Sequence, residues 1–551
     1  MSLHQRPIGP VPDDTARIAR AAFRAGNPWL RLRDDLGVFY ADERFAHLFP
    51  AHGQPAEAPW RLALVLVLQF AENLTDRQAA DAVRGRIDVK YLLGLELADD
   101  GFDHTVLSEF RGRLVAGGAE RLLLDALLEH CVARQLLKPR GRQRTDATHV
   151  LTAARALYRL ECVGEAMRHA LNTLAVVAPS WLQAHVPTVW VDRYGHRLDS
   201  ARLPSGKEAR RAWACQVGAD GYHLLEAVYA ADAPPALRAV EAVEVLRRIW
   251  VQQFTREGRE GQVGWREEKD LPPAARRINS PYDPEARYGT KGDRTWIGYK
   301  AHLTETCDED LPHLVTQVET TIATGTDYEA LPSVQDELER RELLPAEQFA
   351  DAGYVAAENL VTSQRRGIDL VGPVAEDPHW QARAGQGFDA AQFVVDWDAK
   401  RVTCPRGQAS VKWQEAYDVD GQPVVRVRFD HHACKVCPSR PLCTRATRHP
   451  RQLLLRPQQR REALQAARER QKTDAFKARY AVRAGIEGTI SQGVRTCDLR
   501  RARYMGQART HLQHVLTAVA LNVVRLANWF AKRPRARTKP TPFVALFPAA
   551  A

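Results

Sequence analysis

Three carboxylates carry the chemistry this chain can offer. Asp146 sits in Arg144-Thr145-Asp146-Ala147-Thr148-His149, Asp351 in Phe349-Ala350-Asp351-Ala352-Gly353-Tyr354, and Glu487 follows Tyr480-Ala481-Val482-Arg483-Ala484-Gly485-Ile486. Mg²⁺ takes oxygen ligands and usually only one or two carboxylates per ion. Three acids from separate elements can therefore hold two divalent cations. Two ions about 3.5–4 Å apart can activate one oxygen and stabilise another in phosphodiester chemistry. A single Asp or Glu is an ordinary surface residue, so the signal is the set and its context. A metal-activated nucleophile needs no histidine, and His149 reads as a local structural residue.

Tyr480, Arg483 and Glu487 are spaced by three and then four positions. On a helix that spacing puts all three on one face, with a guanidinium beside a metal-binding carboxylate. Packing plus a surface ion pair is the alternative for Tyr480 and Arg483. Gly485 and Gly488 flank the acid and loosen or end the helix there. Further on, Leu499–Arg509 mixes arginines with Tyr504. Arg500, Arg501 and Arg503 suit phosphate contacts, and a solvated basic loop is the other reading.

Cys434 and Cys437 form a C-x-x-C, with Cys443 after them and Cys404 upstream. Four thiolates complete a tetrahedral Zn²⁺ site, and short strands around Val411–Trp413 and Val424–Phe429 suit a zinc ribbon. Such a site would be structural, since a small β insertion has little core. His431 or His432 could replace one thiolate. A redox pair is disfavoured because no βαβ pattern surrounds it, and free thiols without metal are the third reading. Cys131, Cys162, Cys215, Cys307 and Cys497 stand isolated and suit core or neutral positions.

Several elements must position these groups. Residues 29–137 read as helical. Pro59 opens an apolar helix through Phe70, Thr75 caps a second, and a third lies near 103–111. The group suits a helix-turn-helix DNA module or a bundle used for dimerisation. Residues 295–305 and 313–322 read as strands from their β-branched and aromatic content. A helix at 329–341 precedes a strand ending at Asp351, followed by a helix from Ala356 and a strand at 368–371. Strands followed by helices imply a mixed α/β sheet. The apolar helix 511–530 reads as buried core.

The chain has 551 residues and a formal net charge of +11. Between Arg448 and Arg509 there are sixteen Arg or Lys against five Asp or Glu, a local surplus equal to the charge of the whole chain. A basic balance favours a polyanionic partner. The first twenty residues lack an apolar signal region, and the longest apolar run, Leu62–Leu68, is too short to span a membrane.

The three acids, in this order and with these neighbours, resemble the Asp-Asp-Glu triad of RNase H-like transposases encoded by bacterial insertion sequences. Tyr480, Arg483 and Glu487 resemble that family's Tyr-Arg-Glu-Lys signature. Val494 stands where the signature has Lys, and Arg495 follows it. Residues 45–114 resemble the N-terminal domain of many such transposases, which often also carry a cysteine-bearing insertion.

The resemblance implies an α/β fold with an RNase H-like mixed sheet flanked by helices, an N-terminal all-α domain and a small zinc-ribbon-like insertion. Expected boundaries are 1–137 for the helical, terminal-repeat-binding domain and 138–375 for the first part of the core, with a largely helical insertion at about 155–290. The cysteine insertion follows at 376–447, the basic helix and closing core helix at 448–531, and a basic Pro-rich tail, expected to be disordered, at 532–551. The implied activity is metal-dependent cleavage and joining of DNA. Asp146, Asp351 and Glu487 would be catalytic, holding two Mg²⁺ or Mn²⁺ ions. Cys404, Cys434, Cys437 and Cys443 would hold Zn²⁺. Tyr480, Arg483, Arg495, Arg500, Arg501 and Arg503 would contact DNA. Partners would be terminal repeats and target DNA, with a homodimer or larger assembly, no membrane, and a cytoplasmic, nucleoid-associated location. A DNA-binding regulator without catalysis and a nuclease without strand transfer are the alternatives.

Overall fold

The protein is described by a computed structural model covering residues 2–4, 7–199, 201, 203–257, 262–385, 387–419, 421–535 and 546. Most of the basic tail expected at 532–551 lies outside the described residues.

A six-stranded mixed sheet organises the α/β core. Its strands are β1 (Arg142–Leu151), β2 (Arg287–Lys291), β3 (Arg294–Thr306), β4 (Val315–Ile322), β5 (Glu347–Ala350) and β6 (Asp369–Val371). β3 pairs antiparallel with β1, β2 and β4, while β5 pairs parallel with β1 and β6. β-branched and aromatic residues recur along β3 and β4, and the consecutive buried residues Ala301–Thr306 show the sheet covered on both faces there. The helix Asp327–Arg340 begins with a capping box between Thr326 and Glu329 and buries Leu331, Val334 and Leu338.

The N-terminal helices are welded to this core. Helix Pro59–Ala71 is apolar almost all round and buries every residue from Leu62 to Phe70. A helix of that kind needs cover on every side. The cover comes partly from the closing helix Gln507–Phe530, and one continuous apolar cluster runs from Trp29 through the sheet to Leu526. Thr75 caps helix Asp76–Gly85 in a capping box with Gln78, as its sequence implied. Helix Thr105–Ala116 then follows, with Arg111 turned inward onto Asp76.

The stretch between β1 and β2 is largely helical and has its own apolar core around Trp250. Helices Arg159–Val177, Lys207–Tyr229 and Glu241–Gln253 build it. Gly221 is required there, because a Cβ would lie 2.1 Å from the Trp250 ring. Asp283, fully buried, joins this unit to the sheet by accepting from the Tyr299 hydroxyl at 2.5 Å and from Thr152. The cysteine-bearing stretch forms a separate three-stranded antiparallel sheet, Ser410–Tyr417, Pro423–Phe429 and Gln452–Leu455. No helix among the described residues is long and apolar enough to cross a membrane.

A second joint between the N-terminal helices and the core is ionic. Asp125, on helix Leu122–Ala133, accepts from Arg340 at 2.7 Å and from Arg341 at 2.5 Å. Arg341 has a side chain only 5% exposed. Asp125→Ala strands that buried charge and should cost roughly 3 kcal/mol. In guanidinium unfolding the midpoint should fall while the transition stays single. Early loss of the N-terminal helices, with the sheet unaffected, would contradict a shared core.

Candidate active site

Strand register brings the first two acids together. Thr145 of β1 pairs in parallel with Ala350 of β5. The next residues, Asp146 and Asp351, therefore fall at the same level on neighbouring strands, about 4.8 Å being the usual interstrand spacing. Ligands of open α/β sheets gather at the carboxyl ends of parallel strands, and Asp351 lies just past the end of β5. Its Oδ1 accepts from the Gly353 N–H at 2.9 Å.

Glu487 arrives from a different element. The helical run through Tyr480, Arg483 and Glu487, expected to loosen or end at Gly485 and Gly488, has its irregularity just before them: helix Asp474–Tyr480, a 3₁₀ turn Ala481–Ala484, and helix Gly485–Cys497. The cause is Arg144, whose Nη1 donates to the Val482 carbonyl at 2.8 Å and whose guanidinium lies against Gly485. A Cβ at residue 485 would sit 1.9 Å from Arg144 Nη1, so any side chain there would have to push the guanidinium off the Val482 carbonyl. The turn keeps its right-handed sense, and Arg483 still reaches Glu487 four residues on.

Arg483 joins the acids. Its Nη2 lies 2.7 Å from Asp146 Oδ2 and its Nη1 2.7 Å from Glu487 Oε1. Asp146 is 7% exposed, whereas the Glu487 side chain is 63% exposed. Burial pushes the Asp146 carboxyl above its ordinary value. Arg483, the Ala147 N–H and Lys291 oppose the shift, and the negative charge of Asp351 adds to it. Burial lowers the Arg483 value, but Asp146, Tyr480, Asp351 and Glu487 together leave it raised. The guanidinium thus acts as a cation between carboxylates. Tyr480 stacks on Phe476 and is half-buried beside the site.

Asp146 and Glu487 face a cleft of about 390 Å³, lined also by Val494, Arg495 and Arg500. Arg495 is exposed and reaches the cleft beside Val494. Arg500 is positioned by chain pairing: Leu151 donates to the Arg500 carbonyl and accepts from Ala502, both at 2.8 Å, and Arg500 Nε donates to Thr148 Oγ1 at 2.9 Å. Arg501 is exposed. Arg503 points elsewhere, donating to the Leu74 carbonyl at 3.0 Å and to Asn73, over the Phe70 ring. Its job here is to dock the N-terminal helices. Other cations of the basic stretch are engaged too, among them Arg456 with Asp418, Arg470 with Asp369, and Arg479 with Glu347 and Asp369.

Carboxylate oxygens suit hard divalent cations. Asp146 and Asp351 share a level, and Glu487 is linked to them through Arg483. Among the described residues, however, no three His, Cys, Asp or Glu side chains are grouped closely enough to hold a metal ion. Arg483 fills the gap between two of the acids. The same holds at the cysteines. Cys404, Cys434, Cys437 and Cys443 line one small cavity of about 40 Å³, and burial, reinforced by the other three thiols, raises the Cys443 value. All are unpaired, and His431 and His432 do not line the cavity.

Two residues essential to this geometry were not singled out in the sequence: Arg144 and Glu305. Glu305 is fully buried. It accepts from Arg144 Nε at 2.7 Å, Thr489 Oγ1 at 2.6 Å and Arg525 Nη1 at 2.7 Å. Burial raises its value, but Arg525, Arg144 and Thr489 outweigh it and leave the carboxyl depressed. A charged residue inside a β-branched strand was the available signal, since buried charges are paired.

Two families match the chain. The Transposase DDE domain family matches residues 403–527, which include the four cysteines and Glu487. The Transposase domain (DUF772) family matches residues 19–113, the N-terminal helices. Asp146 and Asp351 lie outside both matches. No curated protein matches the chain.

Glu305→Gln should leave Arg144 and Arg525 under-compensated and cost about 3–5 kcal/mol. The depressed carboxyl contributes stability that is present above its unfolded-state value and lost as pH falls through the folded value. Urea unfolding across the acid range should therefore show a steeper loss of stability in the unaltered protein than in Glu305→Gln. Parallel curves would contradict the assignment.

Proposed function

We propose that the chain, which two matched families support as an insertion-sequence DDE transposase, binds the terminal repeats of its element, cuts their 3′ ends and joins them to target DNA. The observation that carries the reading is the meeting of Asp146 and Asp351 on adjacent parallel strands, with Glu487 tied to them through Arg483. The sheet, three antiparallel partners followed by two parallel ones with the acids at its parallel end, supports an RNase H-like core.

Asp146, Asp351 and Glu487 would hold two Mg²⁺ or Mn²⁺ ions, which supply activation of the attacking oxygen and charge at the leaving one. The chain's own residues do the rest. The buried Asp146 is fixed by the β1 register. Arg483 offers a forked donor of the kind that grips phosphate. Arg495, Arg500 and Arg501 line or flank the cleft with cations free of carboxylates among the described residues. N-terminal helices held rigidly to the core support end recognition by residues 19–113. Bringing two element ends together calls for a dimer or larger assembly. In this reading the four cysteines take a structural Zn²⁺, supported by their convergence on one cavity.

Asp351→Asn should lower cleavage of labelled element ends by more than about a thousandfold, several kcal/mol of lost charge stabilisation, while end binding persists. Cleavage surviving the change would remove Asp351 from the site. The same assay, scored for joined product, separates a transposase from a nuclease that only cuts. For the cysteines, purified protein should contain one zinc with Zn–S near about 2.3 Å. Four freely reactive thiols and no zinc would refute that part.

A further inference from the structure

Beside the acid cleft lies a second one, of about 270 Å³. The two share Ala147, Thr148 and Arg500 and so form one continuous concavity past Asp146. The second is lined by Lys291, Arg294, Lys300, Asp327 and the edge of the buried Trp296. Lys291 and Arg294 flank the tight turn between β2 and β3, where Gly292 takes a φ of +58°. Both side chains are exposed.

The charges in this cleft are not balanced. Lys300 is committed to Asp327 at 3.1 Å and to the Gly325 carbonyl at 2.8 Å, which also spends the charge of Asp327. Lys291 and Arg294 have no side-chain partner among the described residues, and Arg500 has only the Thr148 hydroxyl. Three like charges around one concavity repel each other and focus a positive potential into it. An anion is the group that relieves this. The two clefts lie side by side from the Lys291–Arg294 turn to Asp146 and Glu487, a span that fits a chain of phosphates better than one isolated ion.

We propose that Lys291, Arg294 and Arg500 form a second DNA subsite that grips the phosphodiester backbone of a strand as it enters or leaves the acid centre. The proposal rests on the DNA-processing reading above and adds the β2–β3 turn as a contact. The strand belongs either to the element end or to the target.

The test uses the full chain and two duplexes, one ending at the element terminus and one of mixed sequence lacking it. Affinity is measured over a salt series without divalent ions. Each phosphate contact contributes about 0.9 to the slope of log affinity against log salt. Lys291→Ala with Arg294→Ala should flatten that slope by about two on at least one duplex. A change on the terminal duplex alone assigns the strand to the element end, and a change on both assigns it to any DNA, as a target strand requires. Lys291→Arg with Arg294→Lys should restore the slope. Lys207→Ala with Lys269→Ala, an exposed pair elsewhere, removes the same charge and should change it less. An unchanged slope on both duplexes, or an equal change in the control pair, overturns the subsite alone. Failure of the unaltered protein to bind either duplex overturns the DNA-processing reading and the subsite with it.

Discussion

Glu305 is a full negative charge with no water to hold it, and the active-site geometry follows from how that charge is met. Its two oxygens are covered by Arg144, Arg525 and Thr489. Each partner belongs to a different element: Arg144 to β1, Arg525 to the closing helix, Thr489 to the helix that carries Glu487. Buried ion pairs often add little net stability, because desolvation consumes most of the attraction. What this one adds is position. The Arg144 fork that satisfies Glu305 also takes the Val482 carbonyl and presses on Gly485. The strand bearing Asp146 and the turn bearing Arg483 are thereby set against each other by one guanidinium.

A second guanidinium completes the electrostatics. Asp146 is buried beside Asp351, a pairing of like charges that favours protonation. Arg483 opposes it by standing between Asp146 and Glu487. The rise that burial imposes on Asp146 is thus partly offset by a cation the chain itself supplies. In the proposed reading a divalent ion would compete with Arg483 for the same oxygens, and a displaced Arg483 would present a forked donor to the cleft.

What the sequence disclosed follows from the range of the interactions involved. The N-cap at Thr75, the two strands of residues 295–305 and 313–322 and the buried helix after His511 are set by neighbours a few positions apart, and all are present. Asp351 at a strand end was legible for the same reason. The break at Ala481–Ala484 was not, because it is imposed by Arg144, more than three hundred residues away in the chain. Gly485 was visible, but its purpose is a contact that only the fold creates. The parallel register that levels Asp146 with Asp351 is equally non-local. Neither the buried anchor Asp283 nor the basic turn at Lys291 was singled out, since each takes its role from partners that only the fold brings to it. Arg503, read as a phosphate contact, spends its charge on Asn73 and Leu74 instead, since a basic residue type does not say which partner the fold will supply.

The shared core constrains how recognition and chemistry can be coupled. Helix Pro59–Ala71 is buried almost all round, partly by the closing helix, and Asp125 clamps the C-terminal end of helix Asp327–Arg340. Moving the N-terminal helices as a hinged unit would expose that apolar surface at about 25 cal/mol per Å² and take Asp125 away from Arg341 as well. In the proposed reading, DNA held by residues 19–113 would sit at a fixed offset from Asp146, and selectivity for a cutting position would arise from rigid distance alone. The cysteine-bearing sheet is built differently. It has its own small apolar cluster, so its position relative to the acids can vary at lower cost than that of the N-terminal helices.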